Sequence, residues 1–352
     1  MGLIKGMGSV AAALSLVAMS GLVAPAGVSA HATSAVHRVV RKKFVIGVSN
    51  VFVNFWREQM VRSVEAESKT APEAPYIASL KVESANGGVV QQIAQIQDLI
   101  NAGVNAILID AQSPTALNGV IAQAYRHHIV VVAFDNVVTS PYAYTVSLNH
   151  AAWGRVGAQW LVNAMHRHGN VVMIDGIDGT TANTLRHNAA LAVFKHYPKI
   201  HVLTSVAGNW DEATEQNDMT NLLASYSDIN GVWADGGGWG VIRAYLQAHR
   251  KLVPIAGEDT NGYRILMHKY AKAAPMLSVG NPPAIGAVAL DVALNVLEGK
   301  HVPKHTLVSP PTVMNTRNMK GTYFPRLPID FTDTWTVRGL HFTLRQLLHQ
   351  PG

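Results

Sequence analysis

Short apolar runs alternate with amphipathic helical patterns along nearly the whole chain, and no other feature limits its fold as strongly. Phe44-Val45-Ile46-Gly47-Val48 is short, β-branched and apolar throughout, as in a strand buried on both faces of a parallel sheet. Asn54 follows as a helix N-cap, with Met60, Val61 and Val64 on one face. Further strands are predicted at Ile77 to Val82, Ala106 to Ile109 and Ile129 to Phe134, with helical repeats between them. The rhythm then restarts, with strands at Val171 to Ile174, His201 to Val206, Gly231 to Ala234, Val253 to Ala256 and Met276 to Val279. A helix through Ile285, Val288, Val292 and Val296 ends at Gly299. Repeated strand–helix units of this kind specify an α/β fold with parallel sheets. Two sheets are expected, because single cores stop growing at about 250–300 residues.

The N-terminus reads as a secretory signal peptide, residues 1–30. Lys5 is its only charge, Val10 to Val23 is an apolar core, and Val28-Ser29-Ala30 offers small residues for cleavage after Ala30. That core is too short to span ~30 Å of hydrocarbon. The chain has no cysteine. This excludes a disulfide framework, a thiolate metal site, a Cys nucleophile and a lipid-carrying cysteine. The net charge of +6 comes from scattered basic residues, apart from Arg38, Arg41, Lys42 and Lys43, so no nucleic-acid partner is expected. The pairs His127-His128 and His166-x-His168 lack the spacing of a helical zinc site, and no metal or cofactor is expected.

Ligands of open parallel sheets bind beyond the carboxyl ends of the strands. Those ends carry Asn54, Phe55 and Trp56; Asp110, Gln112 and Ser113; Asp135 and Asn136; Asp175, Asp178 and Thr180; Asn209, Trp210 and Asp211; Asp235 to Trp239; Glu258, Asp259 and Asn261; and Asn281. Carboxylates accept hydroxyl hydrogen bonds strongly, and aromatic faces pack on the C–H face of a sugar ring. Such a set suits a sugar or polyol, although Asp and Asn are also common helix caps. Gly236-Gly237-Gly238 lacks phosphate-loop spacing and reads as a close backbone approach. No GxSxG elbow is present; a carboxylate-pair glycosidase stays open on composition.

Several stretches carry a family resemblance. They are Phe44 to Asn50 followed by Asn54-Phe55-Trp56, Gln95 to Ile109, Val130 to Asp135, Asp175 to Thr181, Trp210-Asp211, Gly257-Glu258-Asp259, and Gly286 to Lys300. Together they resemble the type I periplasmic sugar-binding proteins of ABC transporters, the ribose-binding-protein-like group. The resemblance implies two Rossmann-like lobes with parallel sheets, joined by a three-strand hinge, and a ligand held between them. By position, it implies ligand contacts from Asn54, Phe55 or Trp56, Ser113, Asp135, Trp210 and Asp259. The chain departs from the family pattern at several places. Asn136 stands where an Arg is usual, Thr184 stands at the Arg of the Gly-rich turn with Arg186 two residues on, Gly236 and Gly237 replace an Asn-Asp pair, and Asn281 neighbours the position of a Gln.

The expected lobes are 44–134 plus 281–308, and 137–280 plus 309–345, with crossovers near Asp135-Asn136, Gly280-Asn281 and Ser309-Pro310. The expected function is capture of a small sugar or polyol outside the inner membrane, in the periplasm, by a monomer that serves an ABC permease. The alternatives are a secreted carbohydrate-active enzyme, a sensory binding protein feeding a chemoreceptor or kinase, and a lactose-repressor-type regulator. The last would need a DNA-binding domain where the signal peptide stands.

Overall fold

The first apolar run forms β1 (Phe44–Asn50), buried from Ile46 onward. The Asn54 side chain accepts the Arg57 N–H at 3.0 Å and so starts α1 (Phe55–Thr70). The first lobe continues through β2 (Ile77–Ser84), α2 (Gly88–Asn101), β3 (Ala106–Ile109), α3 (Asn118–Arg126), β4 (Val130–Phe134) and β5 (Ala143–Leu148). The second lobe is built from α4 (His150–Ala164), β6 (Gly169–Asp175), α5 (Thr181–Lys195), β7 (Ile200–Ala207), α6 (Glu212–Ser225) and β8 (Gly231–Ala234). It is completed by α7 (Trp239–Gln247), β9 (Ile255–Glu258), α8 (Asn261–Lys269) and β10 (Met276–Val279). The chain then returns to the first lobe as α9 (Ile285–Leu297) and β11 (His305–Val308), and reaches the second sheet again at β12 (Thr312–Met314). The computed structural model describes residues 43–72, 74–84, 86, 88–332, 339–343 and 347; the expected signal peptide lies outside the described residues.

The first sheet has the order β11-β5-β4-β3-β1-β2, and the second β12-β10-β9-β8-β6-β7. All pairings are parallel except β12 against β10. This is the two-sheet α/β class that the alternation specifies.

Three expectations are corrected. The first crossover is not at Asp135-Asn136, because β5 pairs with β4 on one side and β11 on the other. The chain changes lobe at Asn149, whose side chain caps α4 by accepting the Ala152 N–H at 2.9 Å. β5 begins just past Pro141 and carries Thr145 and Ser147, so its apolar signal is diluted. The run at Val253 to Ala256 forms a strand two residues later, ending at Glu258. Finally, the tail does not stay with the second lobe. Phe342 and Leu347 pack with Ala66, Ala284 and Ala287 of the first lobe, and Glu67 accepts the His341 N–H at 2.9 Å.

The core of the second lobe is tight. Trp153 of α4 meets Trp233 of β8 edge-to-face, with centroids 5.8 Å apart, and donates its indole N–H to the Val279 carbonyl at 3.2 Å. Helix α4 crosses α5 so closely that a Cβ on Gly154 would lie 2.1 Å from the Arg186 carbonyl oxygen. The obstacle is backbone, so the helices themselves would have to part. Gly154→Ala is therefore expected to lower the unfolding free energy by ~1–3 kcal/mol, the usual range for overpacking, in urea titrations. A change within ~0.5 kcal/mol of zero would mean that the two helices separate freely.

Candidate functional site

The carboxyl ends of the two sheets face each other, and their loops enclose one cavity. It is lined by Asn54, Trp56, Arg57 and Asp135 from the first lobe, and by Ala182, Arg186, Trp210, Glu212, Gly236, Gly237, Glu258 and Thr260 from the second. Asn281 joins from a crossover and Thr332 from the tail.

The first-lobe wall grows from the Asn54 cap, which turns Trp56 and Arg57 inward. Trp56 donates its indole N–H to the Asn281 carbonyl at 2.7 Å. The Arg57 Nε lies 2.9 Å from Asp110 Oδ2, its guanidinium lies over the Phe52 ring at 3.8 Å, and it reaches 5.8 Å from the Trp210 ring across the cleft. Asp135 stands at the end of β4 with φ 52°, a left-handed conformation that costs energy in a non-glycine residue. Asn209 and Trp210 share this conformation, at 58° and 54°. The Trp210 ring lies so close to Gly176 that a Cβ there would be 2.2 Å from it.

The second-lobe wall is organised by one cation. Arg186 Nη1 donates to Asp235 Oδ1 at 2.8 Å and Glu258 Oε2 at 2.9 Å, and its Nε donates to His150 Nδ1 at 3.1 Å. His150 Nδ1 is thus an acceptor, and Nε2–H faces the Asp135 carbonyl at 3.2 Å. Burial, with Arg186 beside it, holds the His150 pKa well below its ordinary value and keeps the ring neutral. Burial disfavours the Arg186 charge, but Glu258, Asp235 and Asp135 outweigh it and raise the pKa. The glycine run has a steric reason. A Cβ on Gly236 would lie 1.5 Å from Glu215 Oε1, and one on Gly237 2.0 Å from Glu212 Oε1.

Seven of the expected residues meet in the cavity: Asn54, Trp56, Asp135, Arg186, Trp210, Gly236 and Asn281. Five do not line it. Phe55 is half-buried on α1 beside the cavity wall. Ser113 caps a turn by accepting the Ala116 N–H at 3.2 Å. Thr184 is exposed and donates to the Thr180 carbonyl one helical turn back. Asn136 is fully buried behind the wall. It donates to Asp110 and Asp135 at 3.1 Å each and accepts the Ala182 N–H at 3.0 Å, so it ties the first lobe to α5. Asp259 is turned away from the cleft: it accepts the Asn281 N–H at 3.0 Å and faces Arg264 at 3.5 Å. Strand side chains alternate, and β9 ends at Glu258, so Glu258 takes the cleft side and its neighbour the interior. Arg57, Glu212, Thr260 and Thr332 were not expected, and Glu258 was expected only as one of the polar residues at a strand end. Its place in the cleft was accessible to a correct reading of the end of β9.

Burial pushes the Asp135 pKa up to about 7, with the nearby Asp110 charge adding to it. It pushes Glu258 up to about 8 and Glu212 up to about 7. Near neutral pH these groups therefore include protonated carboxyls, which donate as well as accept. With Arg186, Asn54 and Asn281 the cavity offers both partners that a hydroxyl needs. Two indoles supply flat apolar faces.

Residues 46–301 match the family described as "Periplasmic binding protein domain", and the chain belongs to that family. It is 32% identical over 180 residues to the xylitol-binding protein of Mycolicibacterium smegmatis, which covers 50% of this chain and 52% of that protein. It is 25% identical over 285 residues to the ribose import binding protein of Bacillus subtilis, covering 79% and 88% of the two chains. An ABC transporter solute binding protein from Thermobispora bispora has the same fold, with a TM-score of 0.71 and 29% identity over 76% of this chain and 84% of that one. The two-lobed parallel α/β architecture is thus the type I periplasmic binding protein fold.

The raised carboxyl pKa values carry a sign. Each lies above the unfolded value near 4, so these groups stabilise the fold fully below about pH 4, and that contribution is lost as pH rises through 7 to 8. Unfolding free energies of the ligand-free protein are expected to fall over this window, and less steeply in Asp135→Asn and Glu258→Gln. An unaltered pH slope in both variants would contradict the assignment.

Proposed function

We propose that this protein is an exported solute-binding protein. It captures one small sugar or polyol between its lobes and hands it to an inner-membrane ABC permease, without chemical conversion. It works in the periplasm as a monomer and needs no cofactor. The observation that carries this reading is the meeting of Trp56 and Trp210, from opposite lobes, with Arg57, Arg186, Asp135 and Glu258 in one enclosed space. Aromatic faces on two sides and dense hydrogen-bonding groups between them suit a compact polyhydroxylated molecule better than a polymer. The names of the relatives, xylitol-binding and ribose import binding, support the same class. The apolar segment before Ala30 supports export.

In this reading the ligand bridges the lobes, and closure about the hinge brings Trp56 and Trp210 onto it. The Arg57 guanidinium lies 5.8 Å from the Trp210 ring of the opposite wall.

A thermal-shift screen of pentitols, hexitols, pentoses and hexoses, followed by calorimetry, tests this function. A ligand at 100 times its Kd adds ~2.7 kcal/mol to stability. Trp210→Ala is expected to weaken binding of the best ligand by ~1 kcal/mol or more, the scale of a buried aromatic anchor. A screen without any stabilising compound, or turnover of a glycoside, would overturn the reading.

A further inference from the structure

Residues 315–332 lie beyond the family match at 46–301, yet they help to build the cavity. We propose that this segment is a strap across the mouth of the cleft, latched to the first lobe through Gln59, so that the tail as well as the two lobes controls opening. The inference rests on the solute-binding reading for what enters the cleft, but its geometry is independent of the ligand.

The strap is held firmly at one end. Asn261, fully buried at the start of α8, donates its amide to the carbonyls of Phe324, Leu327 and Pro328 at 2.8, 3.2 and 3.0 Å. Its Oδ1 accepts the Phe324 N–H at 2.8 Å. Its backbone N–H donates to Phe331, and that of Gly262 to Ile329, at 2.7 and 2.5 Å. Gly262 has to be glycine for this contact, because a Cβ would lie 2.9 Å from Ile329 Cβ. Arg264 also donates to the Thr322 carbonyl at 3.2 Å. All these anchors are on α8, so the strap moves with the second lobe.

At its other end the strap meets α1 of the first lobe. Gln59 accepts the Thr332 N–H at 3.2 Å and donates to Thr332 Oγ1 at 3.3 Å and the Asp330 carbonyl at 3.4 Å. Gln59 and Thr332 are both buried, and Thr332 is part of the cavity wall. These bonds, at 3.2–3.4 Å, are longer than most of those to α8, and the tail meets α1 again further on, where Glu67 accepts the His341 N–H at 2.9 Å. Parting of the lobes breaks the Gln59 contacts, and an α1 that moves away from α8 opens the cavity beside Thr332.

The absence of cysteine permits a clean test in the full chain. Val90→Cys on α2 and Gln247→Cys on α7, both exposed, place one spin label on each lobe. Double electron–electron resonance then reads the distance between lobes in the ligand-free protein. Adding Gln59→Ala is expected to shift the distribution toward longer distances, with far-ultraviolet circular dichroism unchanged. The same distribution with and without Gln59→Ala would overturn the latch. In stopped-flow experiments with xylitol and D-ribose as probes, Gln59→Ala is expected to release the bound probe at least fivefold faster, and an equal rate would count against the strap. If the wild type binds neither probe nor any compound of the screen, the solute-binding reading fails, while the distance measurement still decides the latch.

Discussion

A buried guanidinium fixes the geometry of this cleft. Arg186 is 1% exposed, and removing its charge from water costs several kcal/mol unless partners offset that loss. Asp235 and Glu258 do so from two neighbouring strands, and His150 takes a third donor. The planar fork of an arginine meets this arrangement with little freedom left. His150 then faces Asp135 at the end of β4. The chain Asp135–His150–Arg186–Asp235/Glu258 therefore runs from the edge of one sheet to the edge of the other. The glycines around it follow from the same crowding. Gly154 lets α4 lie against the backbone that carries Arg186, and Gly236 leaves room for the buried Glu215 carboxylate.

This network also sets the recognition chemistry. The acids of the cavity outnumber its arginines, and burial raises the pKa of Asp135, Glu212 and Glu258 rather than leaving a dense negative field. A site of this kind presents both hydrogen-bond donors and acceptors, as the proposed binding of neutral hydroxyls requires. The indoles of Trp56 and Trp210 bound that polar set on either side of the cleft. The left-handed backbone at Asp135 and Trp210 places two of these side chains where a relaxed turn would not.

Much of the fold is legible in the sequence because strand and helix periods differ. Apolar runs such as Ala106 to Ile109 have no competing reading, and the restart after the fourth strand marks a second sheet. β5 escapes because Thr145 and Ser147 interrupt its apolar pattern, and its loss moves the first crossover to the wrong loop. The candidate site is legible only to the level of loops. Which of two adjacent acids faces the cleft depends on how far the alternation of a strand extends: β9 runs on to Glu258, which takes the cleft side, while Asp259 turns to Arg264. Arg186 against Thr184 is the helical counterpart: two residues are about 200° apart on a helix, and only one of them points inward. Thr332 could not be found from local pattern, since it reaches the cavity through a tail whose path is set by Asn261.

The claim that the cleft is organised by this buried cation is tested most directly by a double-mutant cycle on Arg186 and Glu258. Unfolding free energies would be measured in urea for Arg186→Met, Glu258→Met and the pair. Arg186→Met alone leaves two buried carboxyls without their cation and is expected to cost ~3–5 kcal/mol. The account predicts that the second substitution restores part of that loss, with a coupling of ~1 kcal/mol or more. Costs that add to within ~0.3–0.5 kcal/mol would contradict it, because Arg186 and Glu258 would then be independent neighbours and not parts of one network.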